Sequence, residues 1–249
     1  MLRPRFCHFV SPLKSHWLLR EDVVFLNHGS FGACPLEVFD YQTELRRVME
    51  SEPVEFLWRG IEEPLDASRD EVAKLVGTSA ENIVFVTNAT SAVNAVARSL
   101  EFKPGDEILT TDHGYNACNN VLLDVARRAG AKVVFAQVPF PVANDGEIIE
   151  SVLSCVTART RLAMLDHVTS PTAVIFPVHE LIRELEARGV EVLIDGAHAP
   201  GMLPLDLDIL RPAYYTGNLH KWICAPKGCG FLYVREERQE QMDPGAGAV

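Results

Sequence analysis

Short apolar segments alternate with longer segments of helical periodicity along most of the chain, and this alternation restricts the fold more than any other feature. The apolar segments are rich in Val, Ile, Leu and Phe, as strands buried on both faces of a sheet must be. The longer segments repeat apolar residues every three or four positions, as amphipathic helices do. The predicted strands are 83–87, 107–111, 132–138, 161–167, 190–195, 213–216 and 230–234. The predicted helices are 37–50, 61–76, 91–100, 116–129, 147–156 and 179–188.

The order of these segments predicts an α/β fold in three layers. Alternation of strand and helix implies right-handed crossovers, a mainly parallel seven-stranded sheet and helices on both of its faces. Only a short link without a long helix joins segments 213–216 and 230–234, so one antiparallel strand is expected at this point. A chain of 249 residues is long enough to bury a full hydrophobic core.

The composition argues against two classes of partner. The formal net charge of −11 at pH 7 disfavours a nucleic-acid-binding surface, so no nucleic acid partner is expected. No apolar run reaches the roughly 20 residues that a membrane-spanning helix needs, so no membrane partner is expected either.

The six cysteines follow no pattern typical of a disulfide framework or a zinc site. None forms Cys-x-x-Cys and their spacings are irregular, so we interpret them as reduced thiols of a cytoplasmic protein and predict no metal site.

The first 20 residues carry four basic and no acidic side chains, which suits either a transit peptide or a basic arm. We favour the arm, because serine is sparse and Pro4 and Pro12 interrupt any amphipathic helix.

A lysine and an aspartate mark the candidate site. Asp195 ends the apolar segment 190–195, and Lys221 lies 26 positions later in a loop with an apolar flank. A lysine can form an imine with an aldehyde, and a carboxylate can hold a pyridine nitrogen protonated; pyridoxal phosphate enzymes require both groups. Taken singly, Lys221 would more often be a solvated surface charge, and Asp195 a helix cap or ion-pair partner. His198 could donate to the phenolic oxygen of the same ring or simply cap its turn.

Two further groups fall at predicted carboxyl ends of strands, where ligands gather in open α/β sheets. The turn 87–91 joins a strand to a helix, and the free N–H groups and hydroxyls there suit a phosphate. Plain N-capping by Asn88 or Thr90 would give the same pattern. His113 or Tyr115 could stack on a flat ring, although His113 could equally make a structural hydrogen bond.

Several motifs in order make the chain similar to a known family. They are the segments 25–35, 87–91, 112–118, 166–172, 195–201 and 216–230, which extend over residues 15 to 238 together with their flanks. With these motifs the chain resembles the class V aminotransferases of the pyridoxal phosphate fold-type I superfamily, and it is most similar to the isopenicillin N epimerase-like branch.

The resemblance implies roles for individual residues. Lys221 would be the Schiff-base lysine, Asp195 the partner of the pyridine nitrogen, and His198 a contact of the ring oxygen. The residues expected to hold the phosphate are Ala89, Thr90, Asn218 and His220, with His113 or Tyr115 stacked on the ring. Ser170, Asn27 and His28 would lie toward the substrate.

The resemblance also implies an enzyme that acts at the α-carbon of an amino acid substrate, and a homodimer. Racemisation, transamination and β-elimination share the same chemistry at that carbon, so these residues do not choose among them. The alternative within the superfamily is a cysteine desulfurase or C–S lyase.

The domain organisation expected from the resemblance is incomplete. Residues 1–36 would form an N-terminal arm, 37–238 the large cofactor-binding domain, and 239–249 a disordered tail. The C-terminal small domain of the family, which usually supplies an arginine for the substrate carboxylate, is expected to be absent. A second interpretation is therefore a cofactor-binding or dimerising fragment without turnover.

Overall fold

One seven-stranded sheet organises the computed structural model, which describes residues 11–243. In chain order its strands are β1 (Ile83–Val86), β2 (Glu107–Thr111), β3 (Lys132–Ala136), β4 (Thr160–Asp166), β5 (Glu191–Asp195), β6 (Tyr214–Asn218) and β7 (Gly230–Val234). Their order across the sheet is β1-β7-β6-β5-β4-β2-β3. Strand β7 runs antiparallel to both of its neighbours, β1 and β6, and the other paired strands are parallel. The predicted fold class, including its one antiparallel strand, is confirmed.

Helices cover both faces of this sheet. The α-helices are α1 (His28–Phe31), α2 (Leu36–Ser51), α3 (Glu62–Val76), α4 (Ala89–Ser99), α5 (Asn116–Ala129), α6 (Asp145–Leu153), α7 (Val178–Glu186) and α8 (Leu207–Leu210). Short 3-10 helices span Pro12–His16, Ala80–Asn82 and Glu236–Gln241, and a π-helix spans Glu55–Arg59. None of the helices within residues 11–243 is both long enough and apolar enough to cross a membrane.

The core lies in two layers, one on each face of the sheet. On one face, α4 and α5 pack against inward residues such as Met164 and Leu193. On the other face, α3, α6 and α7 pack against residues such as Leu165 and Ile194. Every residue of β6 and β7 is buried, including the polar Thr216 and Asn218 of β6. Each large apolar side chain buried in this way contributes about 1.5–3 kcal/mol, so the layers hold the strand ends in fixed positions.

The predicted boundaries differ from the observed ones mainly where pairing or capping decides them. Strand β6 continues to Asn218, two residues beyond its predicted end, because its pairing with β7 extends to Asn218 opposite Gly230. Helices α4 and α6 each begin two residues early, because Asn88 and Asn144 cap them. Strand β3 ends at Ala136 and not at residue 138 as predicted, because its pairing with β2 ends where Ala136 lies opposite Thr111, the last residue of β2.

The first residues of the predicted tail belong to the 3-10 helix that follows β7. Gln239 donates from Nε2 to Asn82 Oδ1 at 2.9 Å and to the Val234 carbonyl at 3.2 Å, which ties this helix to the domain. The disordered tail predicted from residue 239 therefore does not apply to residues 239–241. Residues 244–249, and residues 1–10 of the predicted arm, lie outside the described residues.

Candidate active site

A cavity of about 670 Å³ opens at the carboxyl ends of β4, β5 and β6. This is the edge of the sheet where the sequence predicts a ligand, and the loop between β6 and β7 supplies one wall. The residues that line the cavity are Ser30, Phe31, Thr87, Asn88, Ala89, Thr90, Ser91, Asn94, Tyr115, Asp166, Ser170, Asp195, Ala197, His198, Asn218, His220, Lys221, Lys227 and Gly228.

Lys221 lies half-buried in the loop after β6, with its amine inside the cavity. Its Nζ is 3.2 Å from His198 Nε2, and Trp222 Nε1 donates to His198 Nδ1 at 3.4 Å. Burial lowers the pKa of Lys221, whereas the nearby charge of Asp195 acts in the opposite direction. Burial also lowers the pKa of His198 to about 4. A neutral imidazole beside a partly desolvated amine favours the unprotonated, nucleophilic form of the lysine.

Asp195 is the last residue of β5 and only 2% of its surface is exposed. Its Oδ1 accepts a hydrogen bond from the Ala197 N–H at 3.0 Å, and its Oδ2 accepts one from the Cys118 thiol at 3.3 Å. Burial raises the pKa of Asp195, and these two donors and Lys221 oppose the rise. A carboxylate held in this way is oriented to pair with a cationic ring nitrogen.

The N-terminus of α4 forms the opposite end of the cavity. Asn88 Oδ1 caps the helix by accepting from the Ser91 N–H at 2.9 Å, and Ala89 N–H donates to Asn218 Oδ1 at 2.9 Å. The capping alternative is therefore present, and the capped turn also faces the cavity. The Asn218 side-chain oxygen already accepts the Ala89 N–H at the start of α4. The Asn218 amide nitrogen and the Thr90 N–H are therefore donors that can face an anion.

His220 is fixed at the same end of the cavity. Its Nδ1 donates to the Cys229 carbonyl oxygen at 2.9 Å, so Nε2 is the ring nitrogen left for a ligand. Burial lowers the pKa of His220, which keeps the ring neutral until an anion favours its protonated form.

Of the two candidate stacking rings, Tyr115 lines the cavity and His113 does not. His113 is buried, and both of its ring nitrogens are engaged, by Thr172 Oγ1 at 2.8 Å and by the Val138 carbonyl at 3.0 Å. Tyr115 precedes α5 and remains 45% exposed. The alternative in which His113 makes structural hydrogen bonds therefore matches the geometry, and Tyr115 is the ring positioned to stack.

A smaller cavity of about 350 Å³ adjoins the first one and shares Ser30, Phe31, Tyr115, Ser170, His198 and Lys221 with it. Asn27 lines this second cavity, although its side chain also caps α1 by accepting from the Ser30 N–H at 3.1 Å. His28 lines neither cavity; its ring lies against Phe25 and Trp222, and its Nδ1 accepts from the Ala33 N–H. The structure thus brings Asn27 and Ser170 to the second cavity and leaves His28 outside it.

Gly32 explains how the segment around α1 reaches the lysine loop. Its φ is +71°, and a Cβ at this position would lie 1.9 Å from the His220 carbonyl oxygen. Only glycine permits both this backbone conformation and this close approach. Gly32 therefore lets the segment 25–35 pack directly against the loop that carries Lys221.

Sequence reasoning gave no role to two residues beside Asp195. Cys118 projects from α5 onto the Asp195 carboxylate, and Asp166 ends β4 in register with Asp195. Asp166 follows an apolar segment just as Asp195 does, so its position was a usable signal. Nothing in the sequence distinguishes Cys118 from an ordinary buried thiol, because its contact depends on how α5 packs.

Comparison with known proteins identifies the family. The model of the family described as aminotransferase class-V matches residues 54–248. An isopenicillin N epimerase from Streptomyces clavuligerus is 38% identical over 231 residues, which cover 93% of this chain and 58% of the relative. A putative L-cysteine desulfhydrase from Oryza sativa subsp. japonica is 34% identical, over 94% of this chain and 52% of the relative.

A solved structure shares the fold over most of the chain. It is the cystine C–S lyase C-DES in complex with its reaction product cysteine persulfide, with a TM-score of 0.81 and 26% identity, and the match covers 88% of this chain and 59% of that one. The chain thus spans a little over half the length of the relatives that it matches. The family predicted from the motifs is confirmed: the chain belongs to the class V aminotransferase family.

Proposed function

We propose that the chain binds pyridoxal phosphate and, as part of a class V enzyme similar to the isopenicillin N epimerases, acts at the α-carbon of an amino acid. One observation carries this proposal: Lys221, Asp195 and the N-terminus of α4 converge on a single cavity of about 670 Å³. An amine, a buried carboxylate and an anion-binding helix end are the three groups that the aldehyde, pyridine nitrogen and phosphate of this cofactor require.

Under this proposal, the candidate residues of the cavity each contact a different part of the cofactor. Asn218, His220 and the Thr90 N–H hold the phosphate, assisted by the backbone around Ala89. Asp195 pairs with the pyridine nitrogen, His198 lies beside the phenolic oxygen, and Tyr115 covers the ring. When bound, pyridoxal phosphate supplies an electron-withdrawing ring that takes up negative charge from the substrate α-carbon.

Lys221 has two roles under this proposal. Its amine would hold the aldehyde group of the cofactor, and the same amine, when free, would take up the substrate α-proton as a general base. The lowered pKa of Lys221, caused by burial, supports both roles, because each needs the unprotonated amine. Its contact with His198 Nε2 holds the amine on the substrate side of the cavity.

A C–S lyase activity is the second candidate. The similarity to the C–S lyase C-DES and to the rice desulfhydrase-like protein favours it. Such a reaction begins with loss of the same α-proton, so it would use the same Lys221 and Asp195. The two candidates differ in whether the proton returns to the α-carbon or a sulfur substituent leaves.

One experiment on a single protein sample distinguishes α-proton exchange from C–S bond cleavage. Cofactor-loaded protein is incubated in deuterated water with a panel of amino acids that includes cysteine and cystine, and deuterium at the α-carbon and released sulfide are both measured. We expect α-deuterium incorporation that depends on Lys221 and is unchanged in Lys227→Ala, the other lysine lining the cavity. Sulfide release with no exchange elsewhere would favour the lyase. Absence of both products for the whole panel would contradict the proposed activity and leave the fragment interpretation.

Two further properties belong to the same proposal. We expect a cytoplasmic protein with reduced cysteines, and a homodimer whose interface includes the face of α2 and the adjoining π-helix. Large apolar side chains are exposed along this surface, among them Tyr41 at 66%, Val54 at 68% and Trp58 at 82%. Several large exposed apolar side chains on neighbouring elements are typical of a protein interface.

A further inference from the structure

Asp166 and Asp195 stand side by side at the bottom of the cavity. They end the neighbouring parallel strands β4 and β5 and are paired in register. The preceding pair on the same face, Met164 and Leu193, belongs to the core layer under α4 and α5, so both carboxyl groups project toward that layer. Both line the cavity, and their exposed fractions are only 3% and 2%.

The two carboxyl groups have different hydrogen-bond partners. Each oxygen of Asp195 has a donor, the Ala197 N–H on Oδ1 and the Cys118 thiol on Oδ2. Asp166 Oδ2 is buried and has no hydrogen-bond partner among the described residues. A charged oxygen buried without a donor is costly, whereas a protonated oxygen can itself donate.

The positive charge near the pair is too small to offset the negative charges of two ionised carboxylates. Lys221, in the loop after β6, is the one cation that acts on both groups in the described part of the chain. The other neighbours are the Cys118 thiol on α5, the Tyr215 hydroxyl on β6, and two backbone N–H groups, those of Asp166 itself and of Tyr115 just before α5. Burial, and then the charge of Asp195, raise the pKa of Asp166 well above its usual value. Two adjacent buried carboxyl groups cannot both ionise easily.

We propose that Asp166 is a positioning residue that shares one proton with Asp195, so that the pair presents a single negative charge to Lys221 and to the bound cofactor. The proton resides on Asp166, because its Oδ2 has no donor among the described residues, whereas each oxygen of Asp195 has one. The effect on the cofactor rests on the proposed function, but the proton itself is a property of the chain alone. Asp166 acts through Asp195: because Asp166 keeps the proton, the single negative charge stays on the carboxylate that pairs with the pyridine nitrogen.

Infrared difference spectroscopy of the cofactor-free protein near neutral pH tests the shared proton directly. We expect the C=O band of a protonated carboxylic acid in the wild type and its loss in Asp166→Asn. The band should also disappear in Asp195→Asn, because the remaining Asp166 then carries the single charge opposite Lys221. No band in the wild type, or a band that survives Asp166→Asn, would overturn the proposal. A band that survives Asp195→Asn would show an isolated acid and would overturn the pairing.

Cofactor affinity gives an independent test on the folded variants, with Asp112→Asn as the matched control. The exposed Asp112 ends no carboxyl pair and lines neither cavity. We expect the dissociation constant of pyridoxal phosphate to change less than about twofold in Asp166→Asn and to rise about tenfold in Asp195→Asn. In the double variant it should rise at least about a further tenfold, because no carboxylate remains. A double variant no weaker than Asp195→Asn would refute the pair even if the cofactor binds.

Discussion

The chemistry of the site depends on a few side chains whose surroundings determine their charge. Lys221 and Asp195 were identifiable from the sequence because one follows and the other ends an apolar segment near the same sheet edge. Their partners were not identifiable, since the contacts with Cys118 and His198 depend on packing between elements far apart in the chain. Sequence could therefore name Lys221, Asp195 and His198, but not the contacts among them or the role of Cys118.

Removal of the Asp195 carboxylate should weaken cofactor retention without preventing attachment. In Asp195→Ala the protonated pyridine nitrogen loses a charge-assisted hydrogen bond worth roughly 1.5–3 kcal/mol, so the dissociation constant should rise by about one to two orders of magnitude. Absorbance titration with pyridoxal phosphate measures this change. Asp112→Ala is the control. An unchanged dissociation constant in Asp195→Ala would show that Asp195 does not contact the cofactor.

His167 should make folding stability depend on pH. Its Nδ1 is hydrogen-bonded to the Tyr215 hydroxyl at 2.8 Å, and burial lowers its pKa to about 4, below the usual value of 6.5. As the pH falls from about 6.5 to about 4, the unfolded chain binds a proton that the folded protein does not, so stability is present above this window and is lost within it. From about pH 7 to about pH 5 the loss assigned to His167 should be about 2 kcal/mol.

Urea unfolding at these two pH values measures that loss. The variant His167→Asn keeps an amide that can bond Tyr215 but does not titrate, so it should lose about 2 kcal/mol less than the wild type over the same interval. Equal losses in the two proteins would show that His167 is not the group responsible.

Among the elements, the turn from β1 into α4 links stability to ligand binding. Asn88 caps α4 at the cavity, and Asn144 caps α6 with the same geometry, accepting from the Glu147 N–H, outside both cavities. Asn88→Ala and Asn144→Ala should each lower the free energy of unfolding by about 1 kcal/mol. Only Asn88→Ala should also weaken binding of pyridoxal phosphate. Equal affinity for pyridoxal phosphate in the two variants would show that the N-terminus of α4 does not bind the phosphate.

The order and type of the main elements were predictable because each strand and helix carries its own periodicity. What escaped prediction was short or set by distant partners. The four-residue helices α1 and α8 are too short to show periodicity, and the end of β6 depends on Gly230 in another strand. That Tyr115 lines the cavity and His113 does not depends on the contacts of His113 with Thr172 and Val138, which only the tertiary structure supplies.

For the molecule as a whole, the exposed apolar surface of α2 and the π-helix predicts self-association. Wild-type protein should sediment as a dimer at micromolar concentration, and Trp58→Glu should shift it toward the monomer, because a buried unpaired charge disfavours the interface. Ile209→Glu is the control, since Ile209 is 68% exposed on α8, outside this surface. A wild type that sediments as a monomer, or an unaltered Trp58→Glu dimer, would contradict this assignment.

Reductive trapping of the cofactor tests most directly whether Lys221 carries it. Protein mixed with pyridoxal phosphate should absorb in the visible, and borohydride should fix the label on the peptide that contains His220, Lys221 and Trp222. Lys221→Ala should abolish the covalent label while retaining some reversible binding through the separate phosphate site, and Lys227→Ala should be labelled as the wild type is. Label on Lys227 or Lys132, with Lys221→Ala still fully labelled, would contradict the account.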